Sequence, residues 1–218
     1  LAATSSAHAV VVRQASAGVV VFPELSLTGY RLDAAAVDPA AAELEPLVAA
    51  CASSGIVALA GAPTEGPAGD HLSMLAVDGD GARVVYRKVH LGGDEPERFT
   101  PGSGPAVLEV DGWRLGLAIC RDTGVTEHAE DTAALGIDAY LAGVCERAAD
   151  ASVVGERANR IASTNGVWVG VASFAGSTGQ GYAPAAGGSG IWRPDGRMLD
   201  RAGPEPGAIV TAVLDRNH

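Results

Sequence analysis

A chain of 218 residues with 47% hydrophobic and 19% charged residues can bury a substantial core, which excludes a disordered chain. A formal net charge of −11 argues against nucleic-acid partners and a polybasic membrane anchor, because both surfaces are anionic. No apolar run approaches the roughly 20 residues of a membrane helix, and the 29 glycines lack a collagen period, so one globular domain spanning residues 1–218 remains.

In chain order, Val19 to Phe22 reads as a short buried strand. Asp38-Pro39 can open a helix running to Ser53 and stopped by Gly55, with Pro46 as the alternative start. Ile56 to Ala60 is a second buried strand. Leu72 to Val77 and Arg83 to Val89 flank Asp78-Gly79-Asp80-Gly81, a hairpin turn. Val107 to Val110 and Trp113 to Ile119 form another hairpin around Asp111-Gly112. A helix over Thr126 to Leu135 and a strand over Ala139 to Leu141 follow. Ser152 to Thr164 is a longer helix ended at Asn165-Gly166, and Val167 to Ser173 is a strand. Ala175 to Gly188 is a flexible Gly-rich loop. The last predicted strands are Ser189 to Arg193, Met198 to Arg201 and Ile209 to Leu214. Strands flanked by helices, with hairpins added, give an α/β layered fold.

Cys51, Cys120 and Cys145 are an odd number with no Cys-x-x-Cys spacing, and no secretory signal is visible. A reducing, cytoplasmic setting is expected, with neither a disulfide framework nor a metal site. The fifteen basic residues are fourteen Arg and one Lys, Lys88. Lys is a compact ammonium where Arg is a broad fork, so a lone Lys in an Arg-rich chain points to a position that Arg does not serve.

Glu24 follows the apolar run Val19 to Pro23, Cys120 follows Leu115 to Ile119, and Lys88 lies near a strand end. Ligands and catalytic groups collect at the carboxyl ends of strands in α/β sheets. The three chemistries are complementary. A thiol needs a base to become a nucleophile, and a buried carboxylate can accept its proton. An ammonium beside both stabilises the oxyanion formed when sulfur attacks a carbonyl or nitrile carbon. The backbone N–H of Arg121, directly after the nucleophile, is a candidate second oxyanion donor. His90 and His128 lack an obvious orienting Asp or Asn, which weakens a Cys–His reading. The chain has no serine-hydrolase elbow, P-loop, zincin or dinucleotide motif, so no cofactor is expected.

The segments Phe22-Pro23-Glu24-Leu25-Ser26-Leu27-Thr28-Gly29-Tyr30, Tyr86-Arg87-Lys88-Val89-His90-Leu91 and Ile119-Cys120-Arg121-Asp122 resemble the three signature blocks of the nitrilase, or carbon–nitrogen hydrolase, superfamily, in the family's order. Phe99-Thr100-Pro101-Gly102, Glu156-Arg157-Ala158-Asn159-Arg160, and Gly187 to Ile191 leading into Pro194-Asp195-Gly196 are similar to its later motifs. The resemblance implies a four-layer αββα sandwich, paired into homodimers, that acts on a small-molecule amide. It implies Glu24 as general base, Lys88 as oxyanion stabiliser and Cys120 as the nucleophile that forms a thioester. A second family glutamate corresponds to Glu95, with Glu97 as rival. Arg121, Tyr30 and Cys145 are the expected substrate-binding residues.

Two departures shape the reading. The stretch before Phe22 is shorter than the family's opening strand and helix. Where family amidases acting on carboxylate-bearing substrates often carry Arg, four positions past the nucleophile, this chain has Gly124; an acid-bearing substrate loses that clamp, for which Arg121, directly after the nucleophile, is the alternative. Arg121-Asp122 replaces the Trp-Glu of nitrilases proper and favours amides. An amidase is thus expected, with a carbamoylase or nitrilase on the same scaffold, or a catalytically silent subunit, as alternatives.

Overall fold

The computed structural model describes residues 1–216. Two sheets lie at its centre. The first holds β1 (Val19–Val21), β2 (Val57–Gly66), β3 (Gly69–Asp78) and β4 (Gly81–Arg87) in that order, with β1 parallel to β2 and the rest antiparallel. The second runs β12 (Met198–Arg201), β11 (Gly190–Trp192), β8 (Trp168–Ser173), β7 (Ala139–Val144), β6 (Trp113–Ile119), β5 (Val107–Val110). Its centre, β6-β7-β8, is parallel. Helices α1 (Ala2–Gln14) and α2 (Glu45–Ser54) cover the first sheet, and α3 (Thr126–Ala134) and α4 (Ala151–Asn165) cover the second.

Strand periodicity sorts the core into three apolar layers. On β2 and β3, Ala58, Ala60, Leu75 and Val77 face α1 and α2, while Leu59, Met74 and Ala76 face the other sheet. On β6 to β8, Ala118, Tyr140, Ala142, Val169 and Val171 pack under α4, whereas Leu115, Leu117, Ile119, Leu141 and Trp168 fill the space between the sheets. The result is the expected four-layer αββα sandwich. It carries the carboxyl ends of β1, β6 and β7 towards one place, where the reactive side chains collect.

Local chemistry explains most boundaries. Pro46 sits in the first turn of α2, so that helix begins at the later of its two predicted starts, and Gly55 ends it in the left-handed region at φ 66°. Asp111 (φ 49°) and Gly112 (φ 77°) are both left-handed, as a two-residue type I′ hairpin demands. Two expectations are revised, and helix α1 covers a stretch to which the sequence pattern assigns no element, because its Ala- and Ser-rich sequence has little apolar contrast between faces. The Gly-rich loop is pinned by a short antiparallel pair, β9 (Ala175–Gly176) and β10 (Ala185–Ala186). Ile209 to Leu214 forms no strand. Its residues alternate exposed and half-buried, and the chain is tied to the second sheet just past it: Trp168 Nε1 on β8 donates to the Asp215 carbonyl, and Arg216 donates to the Gly112 carbonyl in the β5–β6 turn.

Candidate active site

Glu24 stands just past β1. The Phe22 N–H still bonds the Leu59 carbonyl at 2.8 Å, extending the parallel ladder one step, and the chain then turns tightly through residues 24–28. This turn is squeezed between the sheets. A Cβ on Gly61 of β2 would lie 2.3 Å from Leu25 N, and one on Gly143 of β7 would lie 2.8 Å from Phe22 O and 3.0 Å from Glu24 N. Two glycines, one on each sheet, thus admit the backbone that carries Glu24.

Lys88 follows β4, held by its N–H to the Leu72 carbonyl at 2.8 Å. Its ammonium donates to Glu24 Oε1 and to Glu95 Oε1, both at 2.7 Å, and all three side chains are at most 2% exposed. Glu95, on a single helical turn Glu95–Glu97, also accepts from Tyr30 Oη at 2.7 Å and, through Oε2, from the Gly92 N–H at 2.7 Å. Of the two glutamates, Glu95 is buried against Lys88 and Glu97 is exposed.

Cys120 begins the turn Cys120–Gly124 directly after β6, with φ 41°. A non-glycine residue in this region carries backbone strain, here held at the tip of a strand. Asp122 ties the turn down, its Oδ2 accepting the Ile119 N–H at 3.0 Å. Cys120 Sγ lies 3.6 Å from the Cys145 carbonyl oxygen and 3.8 Å from Glu146 Oε1. The thiol also reaches Glu24 and is among the groups that lower that carboxyl's pKa. Glu24 Oε2 is buried with no other hydrogen-bond partner of ordinary geometry, which leaves one oxygen of the carboxylate free to take a proton.

Burial dominates the electrostatics. It pushes the Glu24 pKa up to about 7 against the pull of Lys88, with Glu95 adding to the rise. Burial alone would depress Lys88, but Glu24, Cys120 and Glu95 together outweigh it and hold the ammonium charged. Burial, then Glu24, raises the Cys120 thiol, while Lys88 pulls it down. Burial and the nearby Glu24 and Glu95 keep Tyr30 a protonated donor.

Of the expected substrate-binding residues, Tyr30 and Cys145 are buried in one apolar cluster with Leu25, Leu72, Phe99 and Ala185. Arg121 is exposed, its stem lying against Gly92. The histidines do find an orienting acid. Asp122 Oδ1 accepts from the His90 backbone at 2.8 Å and meets His90 Nδ1 at 3.1 Å, and Tyr86 Oη joins Asp122 to His128. Sequence reasoning named Asp122 only as part of the Cys120 segment and passed over Gly61, Gly143 and Glu146, whose roles depend on contacts with segments distant in the chain. Among the described residues no group of three or more His, Cys, Asp or Glu could hold a metal ion.

A thiol, a carboxylate and an ammonium gathered at strand ends of an αββα sandwich define the class, a nitrilase-fold hydrolase. The model of the carbon-nitrogen hydrolase family matches residues 1–218, and the chain belongs to that family. A curated relative, the hydrolase in the pqqF 5′ region of Pseudomonas protegens, is 29% identical over 96% of this chain and 75% of its own. The NitN amidase of Nesterenkonia sp. AN1 superposes with a TM-score of 0.83 at 27% identity, covering 96% of this chain and 85% of that one. A glutamate-to-glutamine variant of the Nesterenkonia amidase carries the product of Michael addition of acrylamide at its active-site cysteine (TM-score 0.81, 25% identity, 96% and 85% covered). Saccharomyces cerevisiae Nit3, of branch 10 of the nitrilase superfamily, shares the fold at a TM-score of 0.81 and 22% identity, covering 93% of this chain and 80% of its own.

Proposed function

We propose that the protein is an amidase that cleaves a linear, non-peptide amide to a carboxylate and ammonia through a Cys120 thioester. The observation that carries the reading is the buried Glu24–Lys88–Glu95 cluster, with two 2.7 Å bonds to one ammonium, set beside the Cys120 thiol. Cys120 Sγ attacks the amide carbon and its proton passes to the free oxygen of Glu24. The oxyanion that develops is stabilised by the Lys88 ammonium, which needs no reorganisation because Glu24 and Glu95 already hold it. Protonated Glu24 then donates to the leaving nitrogen, the C–N bond breaks and ammonia departs. Water, deprotonated by Glu24, attacks the thioester, and the acid leaves with the thiol restored. Glu95 acts through Lys88 as a positioning residue. Tyr30 fixes Glu95 through its 2.7 Å hydrogen bond, and Tyr30 and Cys145 lie together in the buried apolar cluster behind the site.

Support for an amide comes also from the likeness to the Nesterenkonia amidase, of which a cysteine-to-alanine variant has been solved in complex with butyramide. The test is ammonia release over small aliphatic amides, aromatic amides, ω-amides and N-carbamoyl amino acids. The expected result is turnover of at least one amide by the wild type and none by Cys120→Ala with an unchanged circular dichroism spectrum. Equal turnover by that variant overturns the assignment; carbon dioxide released alongside ammonia would move it to a carbamoylase.

A further inference from the structure

One wall of the site carries a charge that the reaction above does not use. Glu146 follows β7, and its Oε1 lies 3.8 Å from Cys120 Sγ. The same oxygen accepts from Arg157 Nη1 of α4 at 2.6 Å. The pair is largely withdrawn from water, with side chains 17% and 27% exposed. Arg157 stands where a side chain at position 124 would grow, since a Cβ on Gly124 would meet its guanidinium at 3.3 Å. The cation that fills this corner is therefore already neutralised by a carboxylate. The other cation at the thiol, Lys88, is shared between Glu24 and Glu95. Both Arg157 and Lys88 are thus already paired, Arg121 beside Cys120 is exposed with its stem against Gly92, and an incoming anion meets the Glu146 charge beside the sulfur.

We propose that Glu146, held by Arg157, is a specificity-determining residue that makes this site a charge filter, admitting amides with a neutral acyl part and rejecting those with a carboxylate a few atoms from the scissile carbonyl. The substrate side of this inference rests on the amidase reading, but access to the thiol can be measured without it. Iodoacetamide and iodoacetate are near-isosteric, and each forms a bond from Sγ to carbon, expels iodide and releases the thiol proton. Their second-order rates at Cys120 of the full chain, located by peptide mass, give a ratio that cancels changes in thiol reactivity common to both. Dividing by the same ratio for free cysteine removes their intrinsic difference.

The expected iodoacetate-to-iodoacetamide ratio is about tenfold or more below that of free cysteine in the wild type. It rises about tenfold in Glu146→Gln and falls further in Arg157→Gln, which strips the counter-charge from Glu146. In the wild type it also rises with salt, because part of the field runs through solvent, so the test survives a variant that fails to fold. A wild-type ratio equal to that of free cysteine, or one unmoved by Glu146→Gln, overturns the filter. Butyramide and succinamate then separate the two readings. Alkylation that follows the expected pattern without turnover of either amide sinks the amidase and leaves the filter standing. Hydrolysis of both amides at similar kcat/KM sinks the filter and leaves the amidase standing.

Discussion

At the scale of single residues, one ammonium shared by two carboxylates sets the protonation of the whole site. Lys88 stays charged and Glu24 sits near the middle of its titration at neutral pH, with a pKa of about 7. As general base, Glu24 must be ionised when Cys120 attacks, so kcat/KM for an amide should climb as pH rises through about 7 and level off above it. A profile already flat at pH 5 would mean that Glu24 does not take the proton. Replacing Lys88 by Arg keeps the charge but puts a planar fork where one tetrahedral ammonium meets Glu24 and Glu95 at 2.7 Å each. Steady-state kinetics should then show a loss of kcat/KM of about a hundredfold or more, the scale set by removing one oxyanion donor.

At the scale of elements, the site is a meeting of strand ends, which is why much of it could be read from the sequence. Val107–Val110 and Trp113–Ile119 match their predicted bounds because each is an apolar run delimited by an Asp-Gly turn. Glu24, Lys88 and Cys120 each follow such a run, and strand ends in layered α/β folds converge. What was not legible depends on contact between segments distant in sequence. Nothing near Gly61 or Gly143 announces the Glu24 turn that each must admit, and nothing near Glu146 announces Arg157. The Ile209 to Leu214 run has strand-like residues but forms no strand, because strand propensity alone does not supply a ladder partner. The two glycines make a sharp prediction. In Gly143→Ala the added methyl must displace Phe22 O and Glu24 N, both backbone atoms 2.8 and 3.0 Å from it. A shift of even part of an ångström moves the base off the thiol, so kcat should fall about a hundredfold. Unaltered kcat in a variant that keeps its thermal midpoint would show that the close approach does not set the position of Glu24.

At the scale of the molecule, the site works only if two sheets stay in register with one another, because Glu24 and Lys88 belong to the first and Cys120 to the second. Apolar packing between them, through Leu59, Met74, Leu117 and Leu141, is strong but not directional. Asp122 supplies the direction. Fully buried in the turn that carries Cys120, it accepts from Ile119 of its own sheet, and from Tyr86 of β4 and the His90 backbone two residues past Lys88. Each of these partners is a donor, and only an acceptor satisfies them all. Asp122→Asn turns one oxygen into an NH2 group that must face a donor, leaving at least one buried polar group without a partner. The expected loss of stability is about 2–3 kcal/mol, or roughly 5–10 °C in Tm for a chain of this size. The directional role predicts more than that loss. Assayed well below its Tm, the folded variant should still lose kcat, because the strand that carries Lys88 is no longer tied to the turn that carries Cys120. A variant with lowered Tm but normal kcat would reduce Asp122 to a contributor to stability alone.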